Sequence, residues 1–157
     1  MRVLVTGGLG QLGRELASVL GPEGHTPDID EMDIEQPDLV RATIERFRPD
    51  AMIHSAAITD TRLCETDPDL AMRINGTCSG MLAEIAATAG IGFQYISTNE
   101  VFDGLKGSPY LETDATNPVN HYARSKLAGE RAVLAAHPGA QVVRSSWLYT
   151  FGGNNFP

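Results

Sequence analysis

The chain has 157 residues, 42% of them apolar and 20% charged, with a formal net charge of −8. That length suits one domain able to bury roughly 70% of its extended-chain surface, and the acidic balance argues against a nucleic-acid partner, which needs a basic face. Cys64 and Cys78 form no CxxC and stand in no histidine cluster, and no apolar run is long enough to cross a bilayer. The expectation is a reduced, cytoplasmic protein with no membrane partner and no metal site.

Residues 2–6, RVLVT, read as a short buried strand. GGLGQLG follows at 7–13, then a helix with Leu12, Leu16, Val19 and Leu20 on one face, stopped by Gly21 and Pro22. Residues 25–34 are polar and short for a second strand. Pro37 opens a helix carrying Val40, Ile44 and Phe47, and residues 51–55 read as a third strand. Asp67 as N-cap and Pro68 at the first helical position start a long helix. Its apolar stripe is Leu70, Ile74, Cys78, Met81, Ile85 and Ala89, and Gly90 ends it. IGFQYIS, 91–97, is a fourth strand. Residues 103–120 are loop-like, a helix spans about 121–136, and AQVVRSS, 140–146, is a fifth strand. Strands alternating with helices predict an α/β fold: a Rossmann-like, doubly wound parallel sheet with helices on both faces. In such sheets ligands bind beyond the carboxyl ends of the strands.

The residues just after each strand are therefore the informative ones. Gly7 to Gly13 satisfy GxGxxG between a strand and a helix, the arrangement that lets backbone amides at a helix N-terminus meet a pyrophosphate. After strand two, Asp28 or Asp30 is a candidate for the adenosine ribose, although Pro27 is a poor strand residue. The negative charge there disfavours a 2′-phosphate only mildly and leaves NADPH and NADH open. After strand three, Ala56 and Ala57 would let a cofactor lie flat, whereas His54 reads as a satisfied core histidine. After strand four comes STNEVF, with Thr98 at the strand end. Tyr122 and Lys126 stand four apart, on one helical face. A lysine ammonium there is expected to lower the tyrosine pKa and make a tunable proton donor.

These residues, with GLGQLGREL, DIEQPD, RPDAMIHSAAIT, STNEVFDG, ETDATNPVNHYARSKLAGE, VVRSSWLY and GNNF, resemble the extended short-chain dehydrogenase/reductase family, and within it the dTDP-4-dehydrorhamnose reductases. The resemblance covers almost the whole chain in the family's order. It implies that Gly7, Gly10 and Gly13, with Gln11 and Leu12, hold the pyrophosphate of NADPH or NADH. It further implies that Asp33 and Ile34 flank the adenine and that Ala56, Ala57 and Thr59 line the cofactor's middle. Thr98, Tyr122 and Lys126 would be the catalytic triad, the last two also touching cofactor, and Trp147 would help form the sugar pocket. The implied reaction reduces C4 of a dTDP-6-deoxy-4-hexulose to give dTDP-L-rhamnose.

The chain departs from that pattern in three places. Asn99 and Glu100 replace the Asp and Tyr of STDYVF. The arm after Thr59 reads DTRLCE, where the family tends to carry an acidic residue near Arg62. The chain stops at Pro157, at about half the family's length, so residues 1–157 are expected to be one cofactor-binding domain with the substrate lobe largely missing. Self-association as a homodimer is left open. Nucleotide-sugar 4,6-dehydratases resemble STDEVY here and use an Asp–Glu pair. Asn99 cannot exchange a proton, so Glu100 reads as shaping the substrate pocket with Thr98 and Asn99. A dehydratase or epimerase, or a non-catalytic NAD(P)-binding regulatory subunit, remains the alternative.

Overall fold

The computed structural model describes residues 1–149; GNNF and the chain end at Pro157 lie outside the described residues. Five strands form one parallel sheet in the order β2-β1-β3-β4-β5. They are β1 (Val3–Thr6), β2 (Gly24–His25), β3 (Ala51–His54), β4 (Gly92–Thr98) and β5 (Gln141–Ser145). The helices between them are α1 (Gln11–Leu20), α2 (Pro37–Phe47), α3 (Thr61–Thr66), α4 (Pro68–Ala71), α5 (Ser79–Ala89) and α6 (His121–Ala136). Right-handed crossovers place α1 on one face of the sheet and α2, α5 and α6 on the other, because the chain reverses direction at β1. The packing agrees: α5 lies against both α2 and α6, and α1 lies against β1 and β2. No helix among the described residues is long and apolar enough to cross a membrane.

Most of the expected elements are present, and three differ. β2 shrinks to two residues paired with Val3 and Leu4. Pro27 has no N–H for the ladder, and the Asp28 carbonyl instead accepts from Met32 N at 2.9 Å in a turn. The DTRLCE arm holds a short helix, α3, which Asp60 caps by accepting from Leu63 N at 3.0 Å. The long helix from Pro68 to Ala89 contains a π-helical stretch, Met72–Cys78, between α4 and α5.

The wider π turn shifts the helix's buried face. The most enclosed residues are Ala71, Asn75, Ser79, Leu82, Ala83 and Ala86, whereas Leu70, Ile74 and Met81 are half-buried and Ala89 is exposed. The helix also packs against α6: Ala128 and Ala132 lie beside Gly76 and Gly80, where added Cβ atoms would come within 3.5 and 2.8 Å of them. On α1, Val19 is 83% exposed rather than buried. The half-buried residues there are Gln11, Leu12, Leu16, Ala17 and Leu20, around the buried Gly13. The core between the sheet and α2, α5 and α6 includes Leu4, Met52, Leu82 and Tyr95, all without exposure.

Candidate active site

The strand order reverses between β1 and β3, and in a doubly wound sheet that switch point opens a crevice beyond the strands' carboxyl ends. A cavity of about 890 Å3 lies there. Its β1 wall is backbone. Gly7 adopts φ +74° to make the turn out of the strand, and Gly10 N closes that turn on the Gly7 carbonyl at 2.9 Å. A Cβ on Gly10 would meet nothing nearer than the Gly7 carbonyl at 3.1 Å, so the missing side chain leaves the loop open to the cavity. A Cβ on Gly13 would lie 2.2 Å from the Gly7 carbonyl, so the third glycine permits close packing of α1 on the loop. Gly10 also begins α1 without a side-chain cap, an arrangement that suits an anion at the helix's positive end. A turn, an open approach and a close packing contact are the three roles a dinucleotide loop needs, so the residues present fit a pyrophosphate.

The opposite wall is built of side chains. Thr98 ends β4, its Oγ1 accepting from Glu100 N at 3.2 Å, and it lines the same cavity as Tyr122 on α6. Asn120 opens α6 by accepting from Ala123 N at 2.7 Å, and its amide holds Glu100 Oε2 at 2.9 Å. Lys126 is buried, donates from Nζ to the Ile96 carbonyl at 2.7 Å and lies 4.1 Å from the centre of the Tyr95 ring. Burial lowers its pKa to about 7, against a smaller upward pull from Glu130. Burial pushes the Tyr122 phenol up; the Thr98 hydrogen bond opposes this and the Glu100 charge adds to it. The expected lowering of Tyr122 by Lys126 is therefore not what the folded chain presents. The ammonium is committed to the β4 carbonyl, and desolvation dominates at the phenol.

Behind this wall runs a buried polar network. Thr6 Oγ1 accepts from Ala56 N at 3.1 Å and meets His54 Nδ1 at 2.7 Å; His54 Nε2 meets Ser79 Oγ at 2.9 Å, and Ser79 donates to the Asn75 carbonyl at 2.8 Å. The directions that satisfy every group put the proton of a neutral imidazole on Nε2. His54 is the satisfied core histidine expected from sequence, with burial lowering its pKa to about 3. Tyr95 also donates to the Asn75 carbonyl, at 2.9 Å. The Asn75 side chain accepts from Ile58 N at 2.8 Å and donates to the Ile58 carbonyl and to Ser125 Oγ, both at 2.9 Å. Ser125 in turn donates to the Tyr122 carbonyl at 2.7 Å. On the far side of Lys126, Glu130 is bound by Ser97 Oγ at 2.5 Å and gripped by Arg144 at 2.9 and 2.7 Å.

Most of the residues singled out from sequence line one cavity. They are Gly7, Gly10, Gln11, Leu12, Gly13, Ala56, Ala57, Thr59, Thr98, Asn99, Glu100, Tyr122, Lys126 and Trp147. Asp28, Asp33 and Ile34 do not join them. Asp28 is exposed and accepts from Glu31 N at 3.0 Å. Asp33 accepts from Glu35 N at 2.9 Å and Gln36 Nε2 at 3.1 Å before α2, and Ile34 packs against the core. With β2 only two residues long, this stretch forms turns instead of a strand end. The cavity adds Ser55, Asp60, Thr61, Ser145, Ser146 and Leu148, which sequence reading passed over. Ser55 and Ser146 follow strands and Ser145 ends one, so they carried the positional signal. Asn75, Ser125, Glu130 and Arg144 carried none, since each acts through partners distant in sequence. Among the described residues, no group of His, Cys, Asp and Glu side chains could hold a metal ion.

A protein-family model described as RmlD substrate binding domain matches residues 1–157. The chain belongs to the RmlD substrate binding domain family. Relatives of this RmlD-family chain include dTDP-4-dehydrorhamnose reductases of Burkholderia thailandensis, 40% identical over 99% of this chain and 53% of the relative, and of Escherichia coli K12, 37% identical over 99% and 54%. Among solved structures, a dTDP-4-dehydrorhamnose reductase from Clostridium acetobutylicum superposes with a TM-score of 0.93 at 38% identity, covering 99% of this chain and 56% of that one. One from Bacillus anthracis, solved in complex with NADP, gives 0.93 at 38% identity, covering 98% and 56%. The chain spans about half the length of the curated relatives it matches.

Proposed function

We propose that residues 1–157 form the NAD(P)-binding Rossmann domain of a dTDP-4-dehydrorhamnose reductase, in which NADPH or NADH reduces the C4 ketone of a dTDP-6-deoxy-4-hexulose to dTDP-L-rhamnose. One observation carries the reading: Thr98, Tyr122 and Lys126, from the end of β4 and one face of α6, line the same cavity as the glycine loop. The names of the relatives support it, as does the NADP complex of the Bacillus anthracis structure.

When bound, the reduced nicotinamide would supply the hydride. Tyr122 gives its phenol proton to the oxygen that gains charge at C4, and its upward-shifted pKa keeps that proton in place at neutral pH. Thr98, in the same cavity at the end of β4, orients the same oxygen. Lys126, whose Nζ already donates to the Ile96 carbonyl, would hold the ribose hydroxyls with its remaining N–H donors. Glu100, anchored by Asn120, accepts from a sugar hydroxyl, and Trp147 closes the sugar side. Asn99 cannot take or give a proton, so this wall lacks the carboxylate pair that water elimination needs.

Replacing Tyr122 by Phe in a reductase carrying this chain is expected to cut NADPH consumption with the dTDP-keto-sugar at least ~100-fold while dinucleotide affinity moves by less than about twofold. Unchanged turnover would refute the assignment. The 157-residue chain by itself is expected to bind dinucleotide without steady turnover, and sustained turnover by it alone would overturn that division.

A further inference from the structure

We propose that Glu130 is a positioning residue for the chemistry wall of β4 and α6: clamped by Ser97 and Arg144, it supplies the buried counter-charge that holds the Lys126 ammonium in place. Its importance for the reaction rests on the dinucleotide reading of the cavity; the coupling of the two side chains does not.

Among the described residues, Lys126 and Glu130 are the only lysine, arginine, aspartate or glutamate side chains that are buried, each 3% exposed. They stand four apart on α6, so they share one face of the helix, one turn from each other. Lys126 gives one N–H to the Ile96 carbonyl at 2.7 Å. An ammonium then has two donors left for the cavity it lines, whereas a neutral amine has one. A pair of ribose hydroxyls takes both, so the charged form is the competent one.

The Glu130 carboxylate is fixed from two strands. Oε1 accepts from Ser97 Oγ at 2.5 Å and from Arg144 Nε at 2.9 Å, and Oε2 accepts from Arg144 Nη2 at 2.7 Å, a bidentate grip. Ser97 directly precedes Thr98 on β4. Arg144, on β5, also donates to the Glu112 carbonyl at 3.2 Å and lies 5.0 Å from the centre of the Phe102 ring. A buried ion pair is a poor device for stability, since apolar side chains of similar size often serve as well. What they cannot supply is charge, and Lys126 is the neighbour that needs it.

The other titratable groups around Lys126 bring none. The Tyr95 ring packs on Nζ, and its hydroxyl donates to the Asn75 carbonyl. Tyr122, one turn earlier on α6, keeps its proton because burial pushes its pKa up. His54 on β3 is neutral above about pH 3. The buried polar groups of the long helix, Asn75 and Ser79, are neutral. Glu100, past β4, acts on Tyr122. Arg144 engages Glu130, and it is Glu130 that opposes the burial lowering Lys126.

The test uses the 157-residue chain without ligand. Lys106 and Lys126 are its lysines, so 13C at lysine Cε gives one NMR signal for each, assigned with Lys106→Arg. The Lys126 signal is expected to titrate with a midpoint of about 7. Glu130→Gln keeps an oxygen for Ser97 and removes the charge; it should lower the midpoint by about one unit. Ser97→Ala loosens the same clamp and keeps the charge, so its midpoint should stay within about 0.3 unit of wild type. Glu130→Asp should restore at least half of the loss. Should Glu130→Gln fail to fold, Glu130→Gln with Arg144→Met leaves no unpaired charge and should lower the midpoint as well. Calorimetric titration with NADP gives the second readout. Glu130→Gln should weaken binding about fivefold at pH 7, the ratio of the charged fractions of Lys126 for a one-unit shift, and should match the wild type at pH 5. A midpoint that neither Glu130→Gln nor the double variant moves would overturn the inference. So would a loss of affinity equal at pH 5 and pH 7, which marks a purely structural role. A shifted midpoint in a chain that binds no dinucleotide would support the coupling and overturn the proposed function instead.

Discussion

The two ends of the cleft are built by different means. At the β1 end the wall is main chain: four glycines in seven residues, a turn at φ +74°, and a helix that starts uncapped. At the β4 end the wall is side chains held from behind. Thr98 depends on the position of β4, Tyr122 and Lys126 on the position of α6, and both elements are tied to the helix at Asn75 by hydrogen bonds spanning 20 to 50 residues of sequence. A backbone cradle tolerates no added atoms but needs few partners. A side-chain wall tolerates small changes at its face and fails when its support moves.

Substitutions that add a single methyl group separate the two. The largest effect is expected at the cradle. Gly13→Ala places its Cβ 2.2 Å from the Gly7 carbonyl, so the loop must move, and dinucleotide affinity should fall about 100-fold or more, as for other misplacements of a binding group. Cofactor fluorescence measures it, and a loss of less than about threefold would mean that the loop is not the phosphate cradle.

Next comes the support of the chemistry wall. Gly129 on α6 faces Asn75, and a Cβ there would stand 2.3 Å from the Asn75 carbonyl and 2.4 Å from the Tyr95 hydroxyl. Gly129→Ala should destabilise the fold by about 3 kcal/mol, the upper end for overpacking a filled core, as read by urea unfolding. It should also weaken dinucleotide binding, because Tyr122 and Lys126 ride on the same helix. Wild-type stability would show that α6 can slide without loss, against the picture of a fixed support.

The smallest effect concerns charge. The Lys126 pKa falls from 10.5 to about 7 on burial, so the unfolded chain binds this proton more readily than the folded one. The stability linked to Lys126 is therefore full above pH 10.5 and declines until the pH has fallen through about 7. Lys126→Met removes that dependence. Its melting temperature relative to wild type should rise steadily as pH is lowered from 10.5 to 7 and level off below. A difference that stays constant across this window would mean that Lys126 is not desolvated in the fold.

Much of this fold was legible because its signals are local. Pro37 and the Val40–Ile44–Phe47 spacing marked α2, Asp67 and Pro68 marked α4, and the residues after β1, β3 and β4 fell in the cavity as the strand-end rule requires. The second strand misled for an equally physical reason. Its pairing ends where Pro27 cannot donate, and beyond it Asp28 and Asp33 accept from backbone amides in turns, outside the lining of the cavity. Periodicity also misplaced the stripe on the long helix, because a regular 3.6-residue repeat cannot anticipate a π turn that moves Asn75 and Ser79 to the buried face.

The sequence by itself determined the alternation of strands and helices, the glycine loop and the Tyr122–Lys126 spacing, since each depends on neighbours within a few residues. The tertiary structure alone decided the rest: the switch of direction at β1, the commitment of Lys126 to the Ile96 carbonyl, the upward push on Tyr122, and the tie of Asn75 to Tyr95 and Ser125. Burial, charge and hydrogen bonding at these groups are set by segments that meet only when the sheet closes, and no local pattern records which segments those are.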